Sequence, residues 1–229
     1  MVHEASKTNK LRGPDFFKTY LQGQVLDIGA GKSPVTPTAK VFDKAQGDAE
    51  RMPHYMGPNS YDCVHSSHCL EHMSDVPAAL ADWWSLVKPG GYLIFVVPDE
   101  DLYEQGAWPS LFNDDHKATF RLGGTASWSP VSFEVRQLAE KLPGGEIIQI
   151  RRMDAGYDER YRLKSISRGQ RTAYNLLWPF SGGLQYVLGN HAPSLYPLYK
   201  FLHLPIDQTI GPALAQIEVI LRKSPREPT

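Results

Sequence analysis

The stretch Gln24-Val-Leu-Asp-Ile-Gly-Ala-Gly-Lys-Ser-Pro34 restricts the possible folds of this chain more than any other. An apolar segment (Val25, Leu26, Ile28), broken only by Asp27, runs directly into a turn carrying Gly29 and Gly31. Such a run suits a strand buried on both faces of a parallel sheet. The two glycines permit positive φ and have no Cβ, so a ligand can lie against the main chain. Asp27 closes the strand, where its carboxylate is expected to accept hydrogen bonds from a cationic group. This design predicts a nucleotide-like cofactor bound at the carboxyl end of a strand.

Three cofactors compete for that turn. A dinucleotide fingerprint needs a third glycine at position 34, which is Pro34. Gly31-Lys32-Ser33 matches the tail of a P-loop, yet its first glycine would fall at Leu26, inside the strand. Pro34 alone does not exclude a P-loop, since proline is tolerated in a first helical turn. The third reading is a resemblance: Val25-Leu-Asp-Ile-Gly-Ala-Gly31 is similar to the first motif of class I S-adenosylmethionine-dependent methyltransferases.

The next hundred residues extend that resemblance. Ala39-Lys-Val-Phe-Asp43 reads as a very short second strand, and Gly47-Asp-Ala-Glu-Arg-Met-Pro53 follows after only a few residues. Ser60–Ser67 reads as a strand leading into His68-Cys-Leu-Glu-His-Met73, which resembles the family's fourth motif. Asp75 can cap a helix in which Val76, Ala79, Leu80, Trp83, Trp84 and Val87 recur at helical spacing. Lys88-Pro-Gly-Gly91 stops that helix and opens the apolar run Tyr92–Val97, the family's most recognisable downstream pattern. Four motifs in order identify the chain as a member of that family, with a likeness to the type 11 methyltransferases.

The resemblance implies a three-layer Rossmann-like α/β sheet with S-adenosylmethionine as cofactor. It places the methionine part over Asp27, Gly29, Ala30 and Gly31, with Lys32 and Ser33 nearby. It gives the ribose to Asp43 and the adenine to Asp48 and the main chain of Ala49. Ser33–Thr38 carries two prolines and is poor helix material. One edge of the sheet is therefore expected to be trimmed.

On the acceptor side, Ser67, His68, Tyr103 and His116 are expected to face the substrate. His116 and His68 are the candidate bases, because histidine titrates near neutral pH. His72 and Tyr103 are candidate substrate-binding residues, and Asp99 and Glu104 are further possibilities for the pocket wall. The run Cys63-Val-His-Ser-Ser-His-Cys-Leu-Glu-His72 invites a zinc reading, but its spacing matches no standard finger. No metal site is expected.

Ser129-Pro130 is expected to start a helix through Leu142, and Glu146–Ile150 and Gln216–Arg222 are expected as a closing pair of strands. The alternation in the last strand implies one exposed face. Residues 157–206 are long enough to need structure of their own, either a helical elaboration packed on the core or a cap that binds the acceptor or forms a homodimer. Prolines at 179, 193, 197 and 205 argue against one long surface helix there. The chain is read as a single domain, with a core at 14–156 and 207–224. Residues 1–13 are expected to be a loose lead-in.

Composition adds bounds rather than identity. The 229 residues carry a formal net charge of -1 and no charged block, so nucleic acid is not expected as a partner. The two cysteines, the absence of an apolar signal core at the start and the lack of a membrane-length apolar run lead to the expectation of a cytoplasmic protein. The expected activity is methyl transfer to an oxygen or nitrogen of a small molecule or saccharide. A methyltransferase-like binding or scaffold protein without turnover is the alternative, and a P-loop nucleotide-binding protein is the remote one.

Overall fold

The computed structural model describes residues 4–124, 126–188 and 196–225. Its sheet grows around strand β1 (Val25–Ile28), buried at every position, as an uninterrupted apolar run demands. β1 pairs in parallel with β2 (Lys40–Phe42) on one side and β3 (Tyr61–Ser67) on the other. β4 (Val87–Pro98) continues in parallel beyond β3. Two shorter strands, β5 (Thr119–Arg121) and β6 (Ser132–Glu134), form a separate parallel ladder. β7 (Gly145–Met153) and β8 (Gln216–Lys223) complete the main sheet as an antiparallel pair, giving the order β2-β1-β3-β4-β8-β7.

The chain leaves β1 toward β2 and then crosses back to β3. The strand order thus reverses at β1, and a crevice opens beyond the carboxyl ends of β1 and β3. Residues 29–39 form turns instead of a helix, and β2 is a three-residue edge strand followed only by a short 3-10 helix, Ala49–His54. The α/β sheet and its trimmed edge therefore match the motif-based expectation.

Helices cover the sheet where the pattern placed them. α1 (Glu4–Leu11) and α2 (Pro14–Tyr20) precede β1, and α3 (Val76–Ser85) follows β3. The Asp75 carboxylate accepts from Ala78 N at 3.0 Å and caps α3. Trp83 and Trp84 are core residues, each tied by its indole N–H to a main-chain oxygen, of Ala49 and Pro143 respectively.

Four expectations need correction. Within the expected lead-in, the described residues 4–13 are not loose, because α1 is pinned by polar groups. Lys7 Nζ donates to the carbonyls of Thr209, Gly211 and Ala213, and Arg12 is bound to Glu218. The same contacts overturn the exposed face assigned to β8. Its polar residues Gln216 and Glu218 are fully buried because Thr8 and Arg12 satisfy them from above. The helix expected from Ser129 begins only at Val135: α4 (Val135–Glu140) is capped by Glu134, after Ser132–Glu134 has paired with β5. Finally, Pro179 does not end a helix, since α5 (Arg168–Leu188) runs through it. Pro193 lies outside the described residues.

The segment between β7 and β8 also contains α6 (Tyr196–Phe201). Tyr174, Tyr199, Leu204 and Ile206 make a small apolar cluster that packs on Leu111 and Phe112 from the loop after β4. Gln105 Nε2 donates to Ile206 O at 2.8 Å, and Arg171 Nη1 donates to Trp108 O at 3.1 Å. From Arg168 on, the described part of the segment is thus largely helical, and it rests on the loop that leads to His116. No helix among the described residues is long and apolar enough to cross a membrane.

Candidate active site

The turn after β1 forms because its glycines can adopt what other residues resist. Gly29 has φ 74° and Gly31 has φ 56°. A Cβ on Gly29 would lie 2.6 Å from Cys69 Cβ, so only glycine lets the β1 turn sit against the segment after β3. Gly29 N donates to Phe42 O at 2.8 Å, and Gly31 N donates to Asp43 Oδ2 at 2.7 Å, which ties the turn to the end of β2. Asp27 does not face outward. It accepts from Val35 N at 2.6 Å and contacts His65 Nδ1 at 2.7 Å, both fully inside the protein. Its partner is a buried histidine rather than the cationic group anticipated.

A cavity of about 420 Å³ opens in front of this turn, within the size range of small-molecule sites. Gly29, Asp43, Asp48 and Ala49 line it together with His68, Cys69 and His72. Asn113, Asp115 and Lys117 close it from the loop before β5. Asp48 holds its local turn by accepting from Glu50 N at 2.9 Å. An S-adenosyl group fits this lining. The glycine turn offers main chain at the end of β1, and Asp43 and Asp48 add two carboxylate acceptors to the lining. The buried Ser67 Oγ has no hydrogen-bond partner among the described residues. A P-loop does not fit, since no helix follows Gly31-Lys32-Ser33.

Beside the turn, β3 stops at a strained residue. His68 has φ 54°, a conformation that histidine enters more readily than most. Its N–H donates to Val96 O at 2.9 Å, and its Nε2 stands 2.9 Å from Gln216 Oε1. The next turn carries Glu71 and His72. Glu71 O accepts from Lys117 N and Ala118 N, at 2.8 and 3.2 Å, and this draws His116 toward the carboxylate. Three imidazoles converge on Glu71 Oε1: His68 Nδ1 at 3.5 Å, His72 Nε2 at 4.0 Å and His116 Nε2 at 4.0 Å. Glu71 is 1 % exposed, and neither of its side-chain oxygens has a hydrogen-bond partner among the described residues. Burial raises its carboxyl, but the histidines outweigh burial and hold it below the usual range. Burial likewise opposes protonation of His68, and Glu71 reverses the effect, so this imidazole is lifted above its ordinary value.

Of the expected acceptor-side residues, His68 and His72 line the cavity, whereas Ser67 and His116 do not. His116 stands behind His72, with ring centroids 5.2 Å apart and Nδ1 held at 2.8 Å by Glu104 Oε1. Tyr103 leans on His116 and Phe112 rather than on the cavity. Asp99 is not part of the wall: it caps the turn at 100–104 and pairs with Arg152 at 2.7 Å. The zinc reading of residues 63–72 does not assemble. Cys63 joins the apolar cluster of Leu21, Val25 and Ile94, while His65 is held between Asp27 and Arg12. Sequence reasoning missed Glu71, which sits inside the recognised motif. The signal was its place between His68 and His72, but its burial was not visible.

A methyltransferase-domain family model matches residues 2–137. The YcgJ protein of Bacillus subtilis is similar in structure, with a TM-score of 0.51 at 15% identity, covering 97% of this chain and 99% of that one. Phosphoethanolamine N-methyltransferase 2 of Haemonchus contortus, solved with phosphomonomethylethanolamine and S-adenosylhomocysteine, gives 0.49 at 15% identity, covering 96% of this chain and 53% of that one. No curated protein matches the chain. With the family model spanning more than half of its residues and the cavity set at the reversal of strand order, this chain belongs to the class I S-adenosylmethionine-dependent methyltransferases.

Proposed function

We propose that this protein moves a methyl group from S-adenosylmethionine to an oxygen or nitrogen of a polar small molecule or saccharide. The observation that carries the reading is that one cavity joins the Gly29 turn to His68 and His72. Its lining includes the polar residues Asn113, Asp115 and Lys117, and this supports an acceptor rich in hydroxyl or amine groups.

Bound S-adenosylmethionine supplies an electrophilic methyl group. Gly29, Ala30 and Gly31 would give its methionine end a backbone wall, Asp43 would accept from the ribose hydroxyls, and Asp48 with Ala49 N would hold the adenine. Alignment of donor and acceptor is the chain's main task, and orientation alone contributes on the order of 7–11 kcal/mol. His68 would take the acceptor's proton, because it lines the cavity and Glu71, 3.5 Å from its Nδ1, stabilises its charged form. Such a base adds about 10²–10⁴-fold. Tyr103 and His116 then shape the acceptor end from behind His72.

The test is transfer of labelled methyl from S-adenosylmethionine to a panel of sugars, phenols and amines. The reading expects turnover with at least one hydroxyl or amine acceptor, reduced about 10²-fold or more in His68→Ala with cofactor affinity kept. Cofactor binding without transfer to any acceptor, together with a stable protein partner, would support a scaffold role instead.

A further inference from the structure

The cluster behind the cavity has a second use. His72 and His116 both have Nδ1 committed to an acceptor. His116 Nδ1 faces Glu104 Oε1 at 2.8 Å, and His72 Nδ1 faces Asp115 O at 3.1 Å and Asp115 Oδ2 at 3.2 Å. A carboxylate or a carbonyl only accepts, so in each neutral ring Nδ1 carries the proton and Nε2 carries a lone pair. Both lone pairs then turn toward Glu71 Oε1, 4.0 Å from each. His68 Nδ1, 3.5 Å from the same oxygen, can offset the carboxylate, but two lone pairs facing it remain unfavourable unless something positive joins all three atoms.

We infer that Glu71 Oε1, His72 Nε2 and His116 Nε2 form a site for one divalent transition cation, of the kind represented by Zn²⁺ or Mn²⁺. The three ligand atoms lie within 4.8 Å of one another. Donors around a tetrahedral ion at about 2.0–2.2 Å stand roughly 3.4 Å apart, so a small side-chain rotation closes the set. Two imidazoles favour a transition metal over magnesium or calcium, which prefer all-oxygen sites. The outer partners have the form metal sites use: a carboxylate on the far nitrogen of each histidine fixes its tautomer and orientation. Glu71 and His116 are buried, while His72 lines the cavity, so the ion's remaining positions face the acceptor end. The ligand class for those positions is a hydroxyl or carboxylate oxygen of the substrate. The cation site stands on its own geometry, and only this last step rests on the methyl-transfer reading.

The experiment is equilibrium dialysis of chelator-stripped full-length protein against Zn²⁺ and, separately, Mn²⁺, followed by metal analysis. The expected result is one ion per chain, weakened at least tenfold in His116→Ala and in Glu71→Gln. Glu104→Gln, which leaves all three ligands in place, is expected to weaken binding about 10–100-fold. Thermal denaturation of the wild type with and without Zn²⁺ needs no variant and should show a rise in midpoint. Protonated imidazoles would satisfy Glu71 equally well and would exclude a metal. Wild type without a stoichiometric ion in either dialysis, or affinity unchanged in the variants, therefore overturns the inference. S-adenosylhomocysteine calorimetry on the same samples separates the two claims: cofactor binding without metal refutes only the cation site, and metal without cofactor refutes only the methyl-transfer reading.

Discussion

Nη1 of Arg12 lies 3.1 Å from Nε2 of His65, and this contact decides the tautomer of the histidine beneath the glycine turn. A guanidinium cannot accept, so Nε2 must, and the ring proton sits on Nδ1. His65 therefore donates to Asp27 Oδ1 at 2.7 Å, and Asp27 Oδ2 receives Val35 N. On its other side Arg12 gives Nε and Nη2 to Glu218 Oε2, at 3.0 and 2.6 Å. A buried relay thus links α1 and β8 to the end of β1, where the cofactor turn begins.

Breaking this relay should be costly. Arg12→Ala leaves buried charge on Glu218, although Arg151 still reaches its Oε1 at 2.7 Å. Removing one partner of a buried ion pair costs about 3–5 kcal/mol. Urea denaturation is expected to show a loss of that size, and a loss below about 1 kcal/mol would contradict the relay's structural role.

The two turn glycines should respond differently to alanine. Gly29→Ala meets both the positive φ and Cys69, so it is expected to lower the melting temperature clearly. Gly31→Ala keeps a positive φ, but its new Cβ meets nothing nearer than Asp43 Oδ2 at 3.9 Å. It should cost stability only on the order of 1–2 kcal/mol while weakening S-adenosylhomocysteine at least tenfold. Unchanged affinity in Gly31→Ala would show that the cofactor does not lie against this turn.

The sheet was legible because its signals are local. Val25–Ile28, broken only by Asp27, and Tyr92–Val97 are short apolar runs bounded by glycine or proline. Asp75 announces α3 one residue ahead. What stayed hidden depends on distant partners. α1 reads as polar, and Lys7 and Arg12 are buried only because acceptors arrive about two hundred residues later, at Thr209–Ala213 and Glu218. Gln216 and Glu218 looked like an exposed face for the same reason. Ser129 is a plausible cap, yet Glu134 does the capping because β6 first pairs with β5, a contact no local window contains. Glu71 was legible as motif but not as a buried carboxylate among histidines, since His116 arrives from a separate loop.

Both cysteines should be inert in the native protein. Burial pushes the Cys69 thiol up to about 12, with Glu71 adding to the effect, and Cys63 is raised further. Thiolate is the reactive form. Iodoacetamide at pH 8 is expected to leave both unmodified for hours and to label both after denaturation. Rapid labelling of native Cys69 would contradict the close packing of Gly29 against it.

Asp62 gives a pH signature. It accepts from Lys88 Nζ and Gln24 N, each at 2.8 Å, and chiefly the Lys88 bond holds its carboxyl below the usual range. A lowered carboxyl stabilises the fold above its unfolded value, near 4, and that stability is lost as pH falls through the folded value. Asp62 is 41% exposed, so the effect is small, about 1 kcal/mol or less. Asp62→Asn should melt below wild type at pH 6, with the gap closing toward pH 3. A gap that persists at pH 3 would mean that charge is not its cause.

The most direct test of the whole account is isothermal titration of the protein with S-adenosylhomocysteine, comparing wild type with Asp48→Ala. Asp48 lines the cavity and is half-exposed, so its replacement should leave the fold intact. The account predicts one site per chain in wild type, weakened at least tenfold in the variant. No binding in wild type, or equal binding in both proteins, would contradict a cofactor site between the Gly29 turn and Asp48.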